Sequence, residues 1–146
     1  MKKYILLFTL LFMLISCNKD SSLSKKVPGW YTCEEKIDNG SLSGKITYYK
    51  NGELKVVAAV KSDLTPNMQG MDLTIMGKWK VENGYLKEEV TQVTSTPQFI
   101  GDALYVTMKK EENGSPGDKI IHVNAEELTV KTPKGETITY NRIQKQ

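Results

Sequence analysis

Alternating apolar and polar residues run through the chain after residue 27 and predict a protein built mainly of β-strands. The clearest case is Gly77–Val90, where two such runs flank Asn83-Gly84, a dipeptide that accepts the positive φ angles of a type I′ turn. Before the turn, the apolar residues recur at period two and share one face: Leu73, Ile75, Trp79 and Val81. Because an isolated hairpin is marginally stable in water, this apolar face requires further strands.

The neighbouring segments supply those strands. Trp30–Ile37 predicts a first strand, and Gly44–Lys50 with Glu53–Lys61 predicts a second hairpin around Asn51-Gly52. Residues 38–41 and 62–70 read as loops. Three short strands close the chain, namely Lys119 to Asn124, Glu127 to Lys131 and Glu136 to Ile143.

The segment after Val93 changes to a helical pattern. Ser95-Thr96-Pro97 places a capping hydroxyl directly before a proline at the first helical position, and Lys109-Lys110 fall where the last turn of a helix favours basic residues. The apolar residues between them recur at helical spacing: Phe99, Ile100, Ala103, Leu104 and Met108. Residues 104–108 also favour a strand by composition. We predict a helix over Pro97–Lys110, ended by Asn113-Gly114.

These elements together predict a mainly β fold. About eight antiparallel strands, mostly joined by tight turns, form an up-and-down meander with one helix after the fifth strand. Closing the meander into a barrel removes the unpaired edges that an open sheet would have to protect. The predicted domain covers residues 27–146.

The N-terminal residues predict export and a lipid anchor. Lys2 and Lys3 precede an apolar run, Tyr4 to Ile15, which is much shorter than the roughly 20 residues of a membrane-spanning helix and is typical of a signal peptide. Leu14-Ile15-Ser16-Cys17 resembles the bacterial lipobox. This resemblance implies that residues 1–16 are removed and that Cys17 is lipidated, with 17–26 as a polar, flexible tether.

Maturation also changes the charge balance. Removing residues 1–16 from 146 leaves 130, a suitable length for one domain with a single core. Since two of the 20 basic residues are lost, 18 basic side chains face 17 acidic ones. A nearly neutral chain without a basic stripe argues against nucleic-acid binding. With Cys17 lipidated, Cys33 is the remaining thiol, which excludes an internal disulfide and favours a buried, inert cysteine.

Few residues predict catalytic chemistry, and we predict no enzyme, cofactor or metal site. His122 is the single histidine, which excludes histidine-rich metal motifs. Cys33 and His122 form the one conceivable nucleophile–base pair, and no local signature supports it. Solvated surface is the expectation for three adjacent acid pairs: Glu34-Glu35, Glu88-Glu89 and Glu111-Glu112.

Five short motifs resemble those of the lipocalin-like lipoproteins of the Bacteroidetes. They span most of the predicted domain: Gly29-Trp30, Asn51-Gly52, Gly77-Lys78-Trp79 with Leu86, Leu128-Thr129-Val130, and Tyr140-Asn141-Arg142. The resemblance implies an eight-stranded barrel with an inner cavity. It also implies that Trp30 closes one end of the barrel beneath the guanidinium of Arg142. Gly29 and Trp30 are adjacent here, whereas lipocalins proper place one residue between them.

The leading functional hypothesis is a non-enzymatic binding protein. A lipid anchor would hold the barrel at the outer membrane, facing the periplasm or the cell surface, where it binds a small hydrophobic ligand or a protein partner of the envelope. The candidate cavity-lining residues are Tyr48, Ile75, Trp79 and Tyr140.

Two alternatives predict a structural or interaction lipoprotein without a small-molecule ligand. In the first, side chains fill the barrel and its exterior binds a partner. In the second, residues 44–55 (GKITYYKNGELK) resemble the hairpins of MORN-type repeat proteins, which implies an open sheet.

Overall fold

The computed structural model describes residues 19–37, 40–62 and 71–144. The predicted signal peptide, Cys17 and most of the two predicted loops lie outside these ranges. The described strands are β1 Gly29–Ile37, β2 Gly40–Tyr48, β3 Glu53–Ser62, β4 Met71–Glu82, β5 Tyr85–Ser95, β6 Asp118–Val123, β7 Glu127–Lys131 and β8 Thr137–Asn141. Helix α1 is described over 19–26, and α2 covers Gln98–Glu112.

The eight described strands form one antiparallel sheet in chain order. The first and last strands meet at a Tyr31–Arg142 bridge, beside which the Ile143 N–H donates to the Trp30 carbonyl oxygen at 2.8 Å. The sheet is therefore a nearly closed barrel, which confirms the predicted fold class and position of the helix. The alternative prediction of an open MORN-like sheet is wrong, because the first and last strands of such a sheet would not meet, whereas β1 and β8 do.

Local signals account for the hairpins. Asn83 and Gly84 have φ angles of 55° and 79°, as the type I′ prediction requires. Gly77 lies at a bulge between β4 and β5, and a Cβ atom there would approach the Glu89 carbonyl oxygen to 2.4 Å. A glycine at this position lets two strands approach closely where the sheet bends.

Helix α2 replaces a strand along part of the wall. Strand β6 pairs with β5 only at Tyr85–Lys119 and Leu86–Asp118, so residues 87–95 of β5 continue past the start of β6. The last turn of α2 lies beside this edge, where the Glu112 carboxylate accepts the Val90 N–H. We call the interruption between β5 and β6 the lateral gap.

Two apolar clusters divide the barrel along its axis. The closed end is the rim that carries the turns at 49–52, 83–84 and 124–126. Its cluster of buried residues draws on strands β1 to β7 and on the residue that follows α1: Val27, Tyr31, Ile46, Tyr48, Leu54, Trp79, Leu86, Val123, Leu128 and Val130. The helical end, where α2 begins, has a smaller aliphatic cluster of Leu73, Ile75, Val90 and Val93, covered by Leu104, Tyr105 and Met108 of α2.

The segment predicted to be a flexible tether is helical from residue 19 to residue 26. The Asp20 carboxylate accepts the N–H groups of Asn83 and Gly84 at 2.6 and 2.8 Å. Leu23 packs against the closed-end cluster, and Val27 is fully buried within it. The polar composition of this segment did not reveal that one carboxylate and two apolar side chains fix it against the barrel.

Candidate functional site

The interior of the closed end is filled by aromatic rings. Tyr48 makes edge-to-face contacts with Tyr31 and with Trp79, each with ring centroids 5.7 Å apart. The Trp79 indole N–H donates to the Tyr49 carbonyl oxygen at 2.9 Å, which satisfies the polar atom of a buried ring. Of the predicted cavity residues, Tyr48 and Trp79 therefore lie together inside this end.

The other two predicted cavity residues lie elsewhere in the interior. Ile75 is buried in the aliphatic cluster of the helical end, and Tyr140 packs half-buried against the closed-end cluster. The sequence thus identified inward-facing positions, whereas the structure separates them into two clusters.

Glu88 is the acidic residue on the inner face of β5. It pairs with Trp79 across the β4–β5 ladder, and directly opposed residues share a face. The Tyr48 hydroxyl donates to the Glu88 carboxylate at 2.5 Å. The Glu88 side chain is exposed to solvent, as expected, but its inward position and its hydrogen bond with Tyr48 were not predicted. Glu88 lies two residues from both Leu86 and Val90. Alternate residues of a strand share a face, so this spacing was the signal that Glu88 points inward.

The surroundings of Glu88 favour its neutral form. Burial raises the pKa of the Glu88 carboxyl, the hydrogen bond from Tyr48 opposes this, and the negative charges of Asp118 and Glu112 raise the pKa further. Burial and the neighbouring Glu88 also raise the pKa of Tyr48 well above 10, so its hydroxyl remains a donor at neutral pH. Desolvation raises the pKa of Asp118 as well.

Two open recesses meet at Glu88. The larger, with a volume of about 810 Å³, lies beside Trp79 and the 49–52 turn and has several lysines in its wall. The smaller, which we call the β5 recess, has a volume of about 660 Å³. Its apolar wall comes from Leu86, Val90, Met108 and Ile138, and Asp118 lies at its side. Because Leu86, Glu88 and Val90 face inward, the β5 recess leads from the lateral gap to the barrel interior.

A charged cluster holds α2 beside this recess. Lys109 donates to Glu112 at 2.7 Å, and its ammonium lies 3.9 Å from a Glu89 oxygen. The bond to Glu112 raises the pKa of Lys109. Since Glu112 also accepts the Val90 N–H, this one acid satisfies a β5 edge group and fixes the side of the lateral gap.

Arg142 closes the seam between β1 and β8 and contacts the ring of Tyr31. Its guanidinium carbon lies 4.8 Å from the centre of the Tyr31 ring, whereas Trp30 lies on the outer face and is 39% exposed. Adjacent residues of a strand point to opposite sides, so only one of these rings enters the barrel. Arg142 also donates to the carbonyl oxygens of Pro28 and Lys26 at 2.8 and 2.7 Å.

The residues considered for catalysis occupy ordinary structural positions. His122 is exposed on β6 with Nε2 2.9 Å from the Asn124 amide, and Cys33 is half-buried against the closed-end cluster. Among the described residues, no group of three or more histidine, cysteine or acidic side chains is placed to hold a metal ion. None of the helices in the described ranges is long and apolar enough to cross a membrane.

No protein-family model matches this chain, and no curated protein matches it significantly.

Proposed function

We propose that this protein is a non-enzymatic binding protein that holds a small hydrophobic ligand in the β5 recess. The observation that carries the proposal is the lateral gap, beside which a recess is lined by Leu86 and Val90 of the inner face of β5. Its volume of about 660 Å³ lies within the roughly 300–1,000 Å³ typical of ligand pockets. Its lining combines the apolar residues Leu86, Val90, Met108 and Ile138 with polar and acidic ones, among them Glu88, Glu112 and Asp118, and polar groups in such sites fix the orientation of a ligand.

We also propose that the barrel is a lipocalin-like lipoprotein of the outer membrane. The lipobox-like residues 14–17 support a lipid on Cys17, and several acyl chains on one residue give stable anchoring where one chain is marginal. Mass spectrometry of the chain purified from membranes tests this proposal. We expect a mass that begins at Cys17 and includes acyl chains, and its loss in Cys17→Ser.

Native mass spectrometry after incubation with an envelope lipid extract tests ligand binding. We expect a reproducible added mass of a few hundred daltons, which an Ile138→Phe substitution removes by filling the recess from its half-buried wall. Val57→Phe is the matched control, because Val57 is exposed on the outer face of β3. Bare protein at saturating extract concentrations, or equal loss in both variants, would contradict the proposal.

A second candidate function is the binding of an envelope protein partner. It is supported by the outer face of α2, where Phe99 and Val106 are 71% and 53% exposed. Photo-crosslinking from position 99 in cells tests it. A specific partner, lost in a Phe99→Ser/Val106→Ser variant that keeps ligand binding, would favour this function over small-molecule binding.

A further inference from the structure

The docking of α1 fixes where the N-terminal end of the described chain lies on the barrel. Asp20 receives two backbone N–H groups from the 83–84 turn, so the start of α1 lies at the closed end. The end of the helix leads through buried Val27 to β1 at the same end. The helix therefore lies against the closed-end rim at both of its termini.

This docking limits how far a lipid on Cys17 can lie from the barrel. Only residue 18 separates Cys17 from Lys19, the first described residue of α1. Two residues span at most about 7 Å even when fully extended. Any acyl chains on Cys17 must then begin next to the closed end, whatever conformation residues 17 and 18 adopt.

The closed end also exposes side chains that suit a membrane interface. Trp30 at the start of β1, Tyr49 at the start of the 49–52 turn and Ile121 beyond the β4–β5 turn are all exposed. Tryptophan and tyrosine favour the boundary between headgroups and acyl chains, because each ring has an apolar body and a polar atom.

The exposed surface of α1 adds positive charge to the same end. Lys19, Lys25 and Lys26 are exposed, while Asp20, the one acid of the helix, is engaged by the 83–84 turn. Lysines next to a lipid anchor are attracted to anionic headgroups, and salt weakens this attraction.

We propose that the closed end of the barrel is a membrane-docking surface, in which α1, Trp30 and Tyr49 contact the lipid headgroups while α2 faces away from the bilayer. The inference rests on the proposed lipid at Cys17 and adds a fixed orientation of the barrel. A tether without structure would allow any orientation, whereas the Asp20 contacts remove that freedom.

Tryptophan quenching by brominated lipid tests the orientation. The lipidated chain is reconstituted in vesicles of phosphatidylethanolamine and phosphatidylglycerol whose acyl chains carry bromine close to the glycerol. We expect loss of the emission from Trp30, measured as the difference between the native protein and Trp30→Phe. Trp79 is buried in the barrel and should remain unquenched in both proteins.

A tryptophan at the other end provides the matched control. In Trp30→Phe/Phe99→Trp, the new indole lies on the exposed face of α2 and should add no quenching. Quenching at position 99, or none at Trp30 in a chain shown by mass to be lipidated, would overturn the proposed orientation. A chain that carries no lipid would instead contradict the anchor itself.

The lysines allow a second measurement that does not alter an aromatic residue. Lys25→Gln/Lys26→Gln should weaken Trp30 quenching and make it less sensitive to salt. Lys45→Gln/Lys61→Gln removes two exposed lysines of the barrel wall and should leave quenching unchanged. Equal effects of the two variants would show that net charge, rather than the closed end, governs contact with the vesicle.

Discussion

The two ends of this barrel are stabilised in different ways. At the closed end, Arg142 reaches across 116, 114 and 111 residues of sequence to bond Lys26, Pro28 and Tyr31. At the helical end, α2 packs against β5, the strand immediately before it in the chain, and covers an aliphatic cluster. The closed end thus depends on contacts that join the two termini of the domain, whereas the helical end depends on a local strand–helix unit.

This difference bears on where function is located. The closed end is packed with aromatic rings, and the Trp79 indole N–H and the Tyr31 hydroxyl both donate to backbone carbonyl oxygens. Toward the helical end, β5 loses its strand partner and a recess opens beside Glu88. We infer that one end supplies stability while the interrupted wall supplies the space for binding.

Core truncation at the closed end should have the largest effect. Leu128 is fully buried, so Leu128→Ala should lower the free energy of unfolding by about 2–5 kcal/mol, because it removes buried surface and leaves a cavity. Leu104 of α2 is half-buried, and Leu104→Ala should cost about half as much or less. Urea unfolding at pH 7 measures both. Equal losses would contradict the distinction between the two ends.

Removal of the Arg142 side chain should cause the second-largest loss of stability. Arg142→Met leaves the carbonyl oxygens of Lys26 and Pro28 without their donor, which should cost about 2–3 kcal/mol in urea unfolding. Lys134→Met, at an exposed turn, should change stability by no more than about 0.5 kcal/mol. Faster amide exchange of Ile143, which bonds across the seam, should accompany the loss in Arg142→Met alone.

The raised pKa of the inward-facing Glu88 carboxyl should make stability depend on pH. The pKa of Glu88 in the folded protein is raised above the ordinary 4.5. The contribution of this one group to stability is therefore largest below pH 4.5 and is lost as pH rises through the folded pKa. Glu88→Gln keeps an acceptor for Tyr48 and removes this loss. The variant should be more stable than the native protein at pH 7, and the difference should shrink on acidification below 4.5.

Urea unfolding at several pH values measures this effect. Glu89→Gln, on the outer face of the same strand, provides the baseline. A gain in Glu88→Gln that does not change with pH would show that ionisation of Glu88 is not its cause.

Release of α1 should have the smallest effect on global stability. Asp20→Ala removes the acceptor of two turn N–H groups and should cost about 1 kcal/mol, comparable to the loss of a helix cap. Hydrogen exchange of residues 19–26 should rise much more than exchange in the barrel. Ser21→Ala, at an exposed neighbouring position, should change neither. Unchanged exchange in Asp20→Ala would mean that Leu23 and Val27 suffice to hold the helix.

The elements with local signals were predicted to within a few residues, and the largest difference is β2, which begins at Gly40 and not at the predicted Gly44. The Asn83-Gly84 turn specified its hairpin, and the helical spacing after Pro97 placed α2, which ends only two residues beyond the predicted Lys110. Ser95 serves the helix from slightly outside the predicted cap, by accepting the Gly101 N–H at 2.7 Å. These features were predictable because a few neighbouring residues determine backbone angles and the face that is buried.

The candidate site was only partly predictable for the opposite reason. Alternation along β4 and β5 identified the inward positions of Ile75 and Trp79, and the same pattern contained the unrecognised inward position of Glu88. No local signal showed that β6 would leave β5 after two pairs, or that Glu112 would satisfy the exposed strand edge. The short β5–β6 pairing and the Glu112 contact depend on where each strand ends relative to its neighbours, which only the assembled sheet determines.

The sequence by itself determined the strands, their hairpins, the helix after β5 and the mainly β class, since these follow from periodicity and turn chemistry. Only the tertiary structure decided that Arg142 covers Tyr31, that Asp20 fixes α1 to the 83–84 turn, and that a recess opens beside Glu88. Each of these features depends on side chains that are distant in sequence and meet only when the barrel closes. Local sequence patterns determine which face a residue occupies, but they do not determine which distant residue it contacts.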